Sequence, residues 1–268
     1  MRPETTVPPV ALAMNCINVF SGFTSFDEFL TLARDAGFDG FFTDEGFADD
    51  FDALKAARAK ADQLGLIFET SHSTMRGAPS LWSADANAAD SYIEVLRRNI
   101  TNCARLDVPT LVVHVTPPLD GTASFETGAQ RLRAIVDLAE TAHVRLAFEN
   151  TSPSDFIFRT LDLFQEPFVG FCYDSGHEAK QSPERHYLPE LGDRLFCTHL
   201  HDTGADGATH LIPFDGTIDF ARVARELRST PYAGPLTLEL DYKGPATTEA
   251  KKAYLDRALA SLVKLRSL

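Results

Sequence analysis

The sequence predicts a closed (β/α)8 barrel, a TIM barrel, on three observations. Short apolar runs rich in β-branched and aromatic residues alternate with longer amphipathic stretches. The alternation occurs eight times and fills about 250 residues, the usual size of such a barrel. No glycine-rich G-x-G-x-x-G follows the first apolar run, which argues against an open dinucleotide-binding sheet.

The first strand lies in "VALAMNCINVF" from Val10. The helix after it is written in "SFDEFLTLARDAGFDG": Ser25 and Glu28 have capping-box spacing, Phe26, Phe29, Leu30 and Ala33 share one face, and Gly37 supplies a left-handed stop. "GFFTDE" from Gly40 and "LIFETSHS" from Leu66 are the second and third strands. The third helix places Ile93, Leu96, Ile100 and Cys103 on one side and stops before Pro109. Strands four to six follow as "TLVVHVTP" from Thr110, "RLAFENT" from Arg145 and "VGFCYDSGH" from Val169, where Gly176 is read as a turn residue at the barrel mouth. After the sixth strand Pro183 and Pro189 leave room only for a short helical piece in "ERHYLPELG". "LFCTHLHD" from Leu195 and "PLTLELDY" from Pro235 complete the strands, and a last helix from about Thr248 aligns Leu255, Leu259, Leu262 and Leu265.

At 268 residues and 44% hydrophobic content the chain can bury a sizeable core, and without a Gly-, Ser- or Pro-rich linker residues 1–268 read as one domain. The amino-terminal apolar run is too short and interrupted for a signal or a membrane span, so a soluble cytoplasmic protein without a membrane partner is expected. Cys16, Cys103, Cys172 and Cys197 lie far apart with no C-x-x-C pair, as expected of reduced, mostly buried thiols. A formal net charge of −13 and no run of Lys or Arg argue against nucleic acid as the expected partner.

A TIM barrel takes its catalytic groups from the carboxyl ends of its strands. Here those ends carry His72, His114, Glu149, Asp174 with His177, then His199, His201 and Asp202, with His210 in the next loop, and finally Glu239 and Asp241. Singly, each has a structural explanation, since a strand-end Asp often caps the following helix. Collectively, a Glu, an Asp, a His and a Glu from strands five to eight converge on one mouth, where unpaired carboxylates are costly to desolvate. A divalent cation resolves that cost, and oxygen and imidazole donors suit Mn²⁺, Mg²⁺, Co²⁺ or Zn²⁺.

The pattern "FENT", "DSGH", "HLHD", "HLIPFDGTIDF" and "TLEL" resembles the xylose isomerase-like TIM barrel superfamily over essentially the whole chain. That superfamily includes sugar phosphate isomerases and epimerases, dehydratases and the AP endonucleases of the endonuclease IV type. The resemblance implies a metal held by Glu149, Asp174, His199 and Glu239, with His177 touching substrate beside it. It implies substrate-binding or additional metal roles for His72 and His114. Two departures stand out: Ala208 replaces the acidic residue that the nucleases carry before the histidine matching His210, and no Arg follows His199 where ketose 3-epimerases have one. His210 or Lys180 is then the candidate for a substrate oxygen, Arg76 for a substrate phosphate or carboxylate, and Phe20 and Trp82 for the apolar face of a sugar.

The chemistry expected is proton transfer next to a carbonyl through a metal-stabilised enediolate, with Glu149 and Glu239 as the catalytic pair acting on a small carbohydrate. A sugar or sugar-phosphate isomerase or epimerase is the leading reading. The alternatives are a related dehydratase or lyase on a polyol or keto acid, an endonuclease IV-type nuclease, and a sugar-binding barrel without turnover. The resemblance implies a homodimer or homotetramer.

Overall fold

The computed structural model describes residues 11–17, 22–118, 120–151 and 153–268, with the side chains of residues 16 and 17 outside that description. Its eight strands are β1 (Leu12–Ile17), β2 (Gly40–Thr43), β3 (Ile67–His72), β4 (Thr110–His114), β5 (Arg145–Glu149), β6 (Val169–Asp174), β7 (Leu195–His199) and β8 (Leu236–Asp241). They pair in parallel in the order β7-β6-β5-β4-β3-β2-β1-β8. The remaining seam, β7 to β8, closes through one residue: the Leu200 N–H donates to Thr237 O at 2.8 Å and Leu200 O accepts from the Glu239 N–H at 3.2 Å. The result is the TIM barrel the sequence predicts.

The helices are α1 (Phe26–Ala36), α2 (Phe51–Leu64), α3 (Ala86–Arg105), α4 (Phe125–Thr141), α5 (Ser154–Leu163), α6 (Ser175–Gln181), α7 (Leu188–Leu191), α8 (Phe220–Ser229) and α9 (Thr248–Ser267). In α1 the four apolar residues read from the sequence are buried, the Ser25 hydroxyl caps the Glu28 N–H, and Gly37 ends the helix at φ 107°. Glu28 departs from the expected box: its carboxylate reaches past Ser25 to the N–H and hydroxyl of Thr24. The other oxygen takes Lys251 Nζ at 2.8 Å, and the Lys251 side chain is 1% exposed. That ion pair ties α1 to α9, the helices that flank the β1–β8 pairing.

The segment after β6 differs most from expectation. The short piece near Pro189 is present as α7, but another helix, α6, starts directly at Ser175, because the Asp174 side chain accepts the His177 N–H and caps it.

Inside the barrel, Val112, Ala147, Cys172 and Cys197 form an apolar layer. His114, Glu149, Asp174 and His199 sit two residues further along the same strands, so the two-residue period places them on the next rung toward the mouth. Cys103, Cys172 and Cys197 are free and buried. Among the described residues no helix is long and apolar enough to cross a membrane.

Trp82 corrects an expectation. It closes a 3₁₀ turn, Ala78–Trp82, whose carbonyls at Ser80 and Leu81 are taken by Arg131. Its ring is fully buried, stacked on Phe125 and edge-on to Phe156, so it is core and not a platform for sugar. Phe20 lies outside the described residues.

A Cβ added at Gly128 of α4 would lie 2.1 Å from Cε3 of Trp82. Gly128→Ala should therefore cost about 1–3 kcal/mol by overpacking, despite the roughly 1 kcal/mol that Ala gains in helix propensity. Urea denaturation measures it, and a stabilised variant would refute the tight contact. The Lys251 ammonium and the Thr24 N–H also lower the Glu28 carboxyl from its ordinary 4.5 to about 2. A lowered folded value stabilises fully above the unfolded value and fades as the carboxylate protonates. The stability gap between wild type and Glu28→Gln should accordingly be complete above about pH 5 and close as pH falls toward 2, as followed by thermal melts across that range.

Candidate metal centre

Glu149, at the end of β5, is the hub. It is 1% exposed, with Oε2 at 2.7 Å from His114 Nε2 and 3.0 Å from His72 Nε2. Its Oε1 lies 3.2 Å from His199 Nδ1 and 3.5 Å from His177 Nδ1. Glu239, across the seam on β8, brings its own Oε1 to 3.7 Å from the same His199 nitrogen. Ligand atoms of Glu149, Asp174, His199 and Glu239 all lie within 4.8 Å of one another, and all four residues are buried. His72, His114 and Glu149 form a second such group, and His201, His210 and Glu239 a third.

Several hydrogen bonds fix which nitrogen can donate. The Nδ1 of His72 is 2.6 Å from the Ser73 carbonyl, which only accepts, so Nδ1 carries the proton. In the neutral ring Nε2 is then a lone pair facing the lone pairs of Glu149, a conflict that only a proton or a cation resolves. The Nδ1 of His177 likewise meets the Asn150 carbonyl at 3.1 Å, which leaves Nε2 for a ligand. Asp174 Oδ2 and His199 Nε2 are buried without hydrogen-bond partners among the described residues. Converging imidazole and carboxylate donors with buried, unsatisfied acceptors fit a divalent cation.

The electrostatics run the same way. Burial alone would raise the Glu149 carboxyl, yet His114 and His199 draw it well below the ordinary carboxylate value. For Glu239 burial is again overcome, by His199 and then His210, and it too is lowered. Burial disfavours charge on His72, but Glu149 raises it to about 9, and Glu239 and Glu149 lift His199 well above its ordinary value.

The strand ends are aligned by their neighbours. Within "DSGH", Asp174 caps α6, the Ser175 hydroxyl bonds both the N–H and C=O of His201, and His177 reaches back to Asn150. Gly176 is helical, not the expected turn. Its missing side chain makes room for His201, whose Cε1 would lie 1.9 Å from a Cβ. His201 accepts the His210 N–H at Nδ1, stacks on the His210 ring at 4.2 Å, and holds Nε2 at 3.2 Å from Asp174 Oδ1. The Asp202 carboxylate gathers the N–H groups of Thr203, Phe214, Gly216 and Ile218, which shapes the loop that carries His210.

A cavity of about 310 Å³ opens over the cluster, lined by His72, His114, Glu149, His177, His210 and Glu239 together with Asp44, Glu45 and Met75. Asp174 and His199, fully buried beside Glu149 and Glu239, are not part of the lining. Arg76 and Lys180 are exposed and outside the lining; Met75, one residue before Arg76, takes the place expected for it. Asp44 and Glu45 were not expected in the lining, although they follow β2 as the final letters of "GFFTDE". Nor was Asn15 expected near the site; it is in register with Glu239 and buries its amide without a partner among the described residues.

Comparison with known proteins places the chain. It is 29% identical over 194 residues to an uncharacterized protein, y4fM, of Sinorhizobium fredii; the match covers 66% of this chain but only 61% of that protein. Its fold superposes on D-allulose 3-epimerase from Methylomonas sp. in complex with D-allulose, at TM-score 0.74 and 18% identity, covering 96% of this chain and 98% of the other. An IOLI protein with a bound zinc atom superposes equally, at TM-score 0.74 and 16% identity, with coverage of 96% and 98%. The family profile described as xylose isomerase-like TIM barrel matches residues 30–262, and the chain belongs to that family.

Proposed function

We propose that this protein is a metal-dependent isomerase or epimerase of sugars or sugar phosphates, moving a proton at the carbon beside a carbonyl. The observation that carries the reading is the pair Glu149 and Glu239: two buried carboxylates from well-separated strands, whose Oε1 atoms lie 3.2 and 3.7 Å from one nitrogen, His199 Nδ1. Glu149, Asp174, His199 and Glu239 would hold the ion. When bound, a divalent cation supplies Lewis-acid polarisation of the substrate carbonyl and of a neighbouring hydroxyl. One carboxylate takes the proton from the adjacent carbon as the C–H bond breaks, and its O–H bond forms. Return of that proton to the neighbouring carbon by the same group, with the hydroxyl proton passing from its oxygen to the former carbonyl oxygen, gives isomerisation. Delivery of a proton from the other carboxylate to the opposite face gives epimerisation. His177, with Nδ1 committed to Asn150, offers Nε2 to a substrate oxygen, and His72 and His114 keep Glu149 ionised and oriented. The shared fold of an allulose 3-epimerase supports the reading.

Glu149→Gln and Glu239→Gln should each lower turnover by about a thousandfold, the scale of a lost general base, while circular dichroism still reports a folded barrel. The assay is solvent deuterium incorporation into a panel of ketoses; near-normal exchange in either variant would remove that carboxylate from the mechanism. Protein purified without chelator should contain divalent metal by elemental analysis, lose exchange on chelation and regain it with Mn²⁺ or Co²⁺. Retained metal in Asp174→Ala or His199→Ala would exclude that residue as a ligand.

A further inference from the structure

The cavity lining is acidic. Asp44, Glu45, Glu149 and Glu239 contribute four carboxylates, Asp174 lies beneath them, and no Lys or Arg is among the lining residues. One divalent ion offsets half of the charge of those four, and the remaining polar groups of the lining are the imidazoles of His72, His114, His177 and His210. The nearby bases stand apart: Arg76 and Lys180 are exposed outside the lining, and Lys243 Nζ is held at 2.9 Å by Asp241. The residues outside the described ones add one base, Arg2.

Barrels commonly seat a substrate phosphate on backbone N–H groups, in the loops after the last strands or at a helix start. Here five such donors, four in the loop after β7 and one at the start of α6, are taken by the protein's own acids. The Asp202 carboxylate takes four N–H groups of the loop after β7, at 2.8 to 3.0 Å. Asp174 takes the His177 N–H at the start of α6. An arriving dianion would meet no guanidinium or ammonium among the described lining residues.

For a neutral polyol the same lining is favourable, because hydroxyls donate and carboxylates accept. Of the two acids that follow β2, Glu45 is committed, accepting from the Thr74 hydroxyl at 3.1 Å and the Met75 N–H at 2.9 Å. Asp44 is half-buried and takes only a local bond at Oδ1 from the Glu45 N–H, at 2.7 Å. A cavity of about 310 Å³ is at the small end for ligand pockets, which span roughly 300–1,000 Å³.

We infer, building on the function proposed above, that the substrate is an uncharged polyhydroxy carbonyl compound rather than a phosphorylated or carboxylated one, and that Asp44 selects it by accepting a hydroxyl hydrogen bond.

Binding and turnover test this separately. Calorimetry on the metal-loaded protein compares sorbitol and ribitol with their terminal phosphates, and deuterium exchange compares fructose and tagatose with fructose 6-phosphate. The neutral polyols should bind at least about 100-fold more tightly than their phosphates, as like charges placed together demand. Asp44→Asn should weaken neutral binding about tenfold, the scale of one charge-assisted hydrogen bond, mainly through KM, and narrow the gap to the phosphates. A residue that only supported the fold would leave that ratio unchanged, so an unchanged ratio removes Asp44 as the selector; if Asp44→Asn does not fold, Asp44→Ser takes its place. Phosphates that bind as well as or better than the neutral polyols overturn the charge inference, whatever the exchange assay reads, and so does a failure of both classes to bind. Neutral binding without exchange into any ketose would remove the proposed catalysis and leave the charge inference standing.

Discussion

The structure is organised around one constraint: the Glu149 charge is held 1% exposed in the wall of the barrel. An ionised carboxylate there costs several kcal/mol unless opposite charge or hydrogen bonds meet it. The layer beneath cannot supply them, because Val112, Ala147, Cys172 and Cys197 are apolar or thiol side chains in close contact. Compensation therefore comes from the mouth, where imidazoles from β3, β4 and β7 converge on its two oxygens. Two of the three rings are in turn held in place: His72 by the Ser73 carbonyl, and His199 by stacking on Phe42 at 4.5 Å with the planes 15° apart. The cluster still leaves His114 Nδ1, Asp174 Oδ2 and His199 Nε2 buried without hydrogen-bond partners among the described residues.

Orientation of the cluster depends on a ring of backbone contacts that carry no chemistry themselves. Ser175 clamps His201, Gly176 admits its ring, and His201 receives the His210 N–H. Asp202 fixes the loop behind, in which His210 has φ 57° and Phe214 φ 76°. Non-glycine residues persist in that region only when their surroundings over-determine them, and Asp202 and the Asp241 N–H, bonded to His210 O, supply that determination. Positional precision at His210 is thus maintained from two strands, β7 and β8.

Much of this was legible in the sequence. The eight strands, the α1 face and the convergence of Glu149, Asp174, His199 and Glu239 follow from residue period and from the rule that strand ends share one mouth. What escaped had physical reasons. Asp174 and Gly176 read as a strand end and a turn because a helix cannot be told from a turn by a capping Asp alone; the need for glycine comes from His201, a residue on another strand. Trp82 read as a surface aromatic because nothing local reveals that Gly128, 46 positions later, leaves the space that its ring fills. Asp44 and Glu45 were visible in "TDE", but with no histidine beside them nothing local marks them as part of the site.

The seam between β7 and β8 joins fold to site. β1 pairs with β8 over six residues from Leu12 to Ile17, whereas β1 and β2 share the single paired position Ala13 with Gly40. At the closing edge only Leu200 bridges, assisted by the Thr237 N–H on the Thr198 hydroxyl at 3.0 Å. His199 precedes the bridging residue on one side, and the Glu239 N–H completes the bridge on the other. A thinly bonded edge of the barrel therefore separates two of the four candidate ligands, His199 and Glu239. A cation held by both would span that edge, so the interaction that relieves the buried charge would also reinforce the closure that brings the charges together. Because such binding requires the closed barrel, its free energy would add to the stability of the fold.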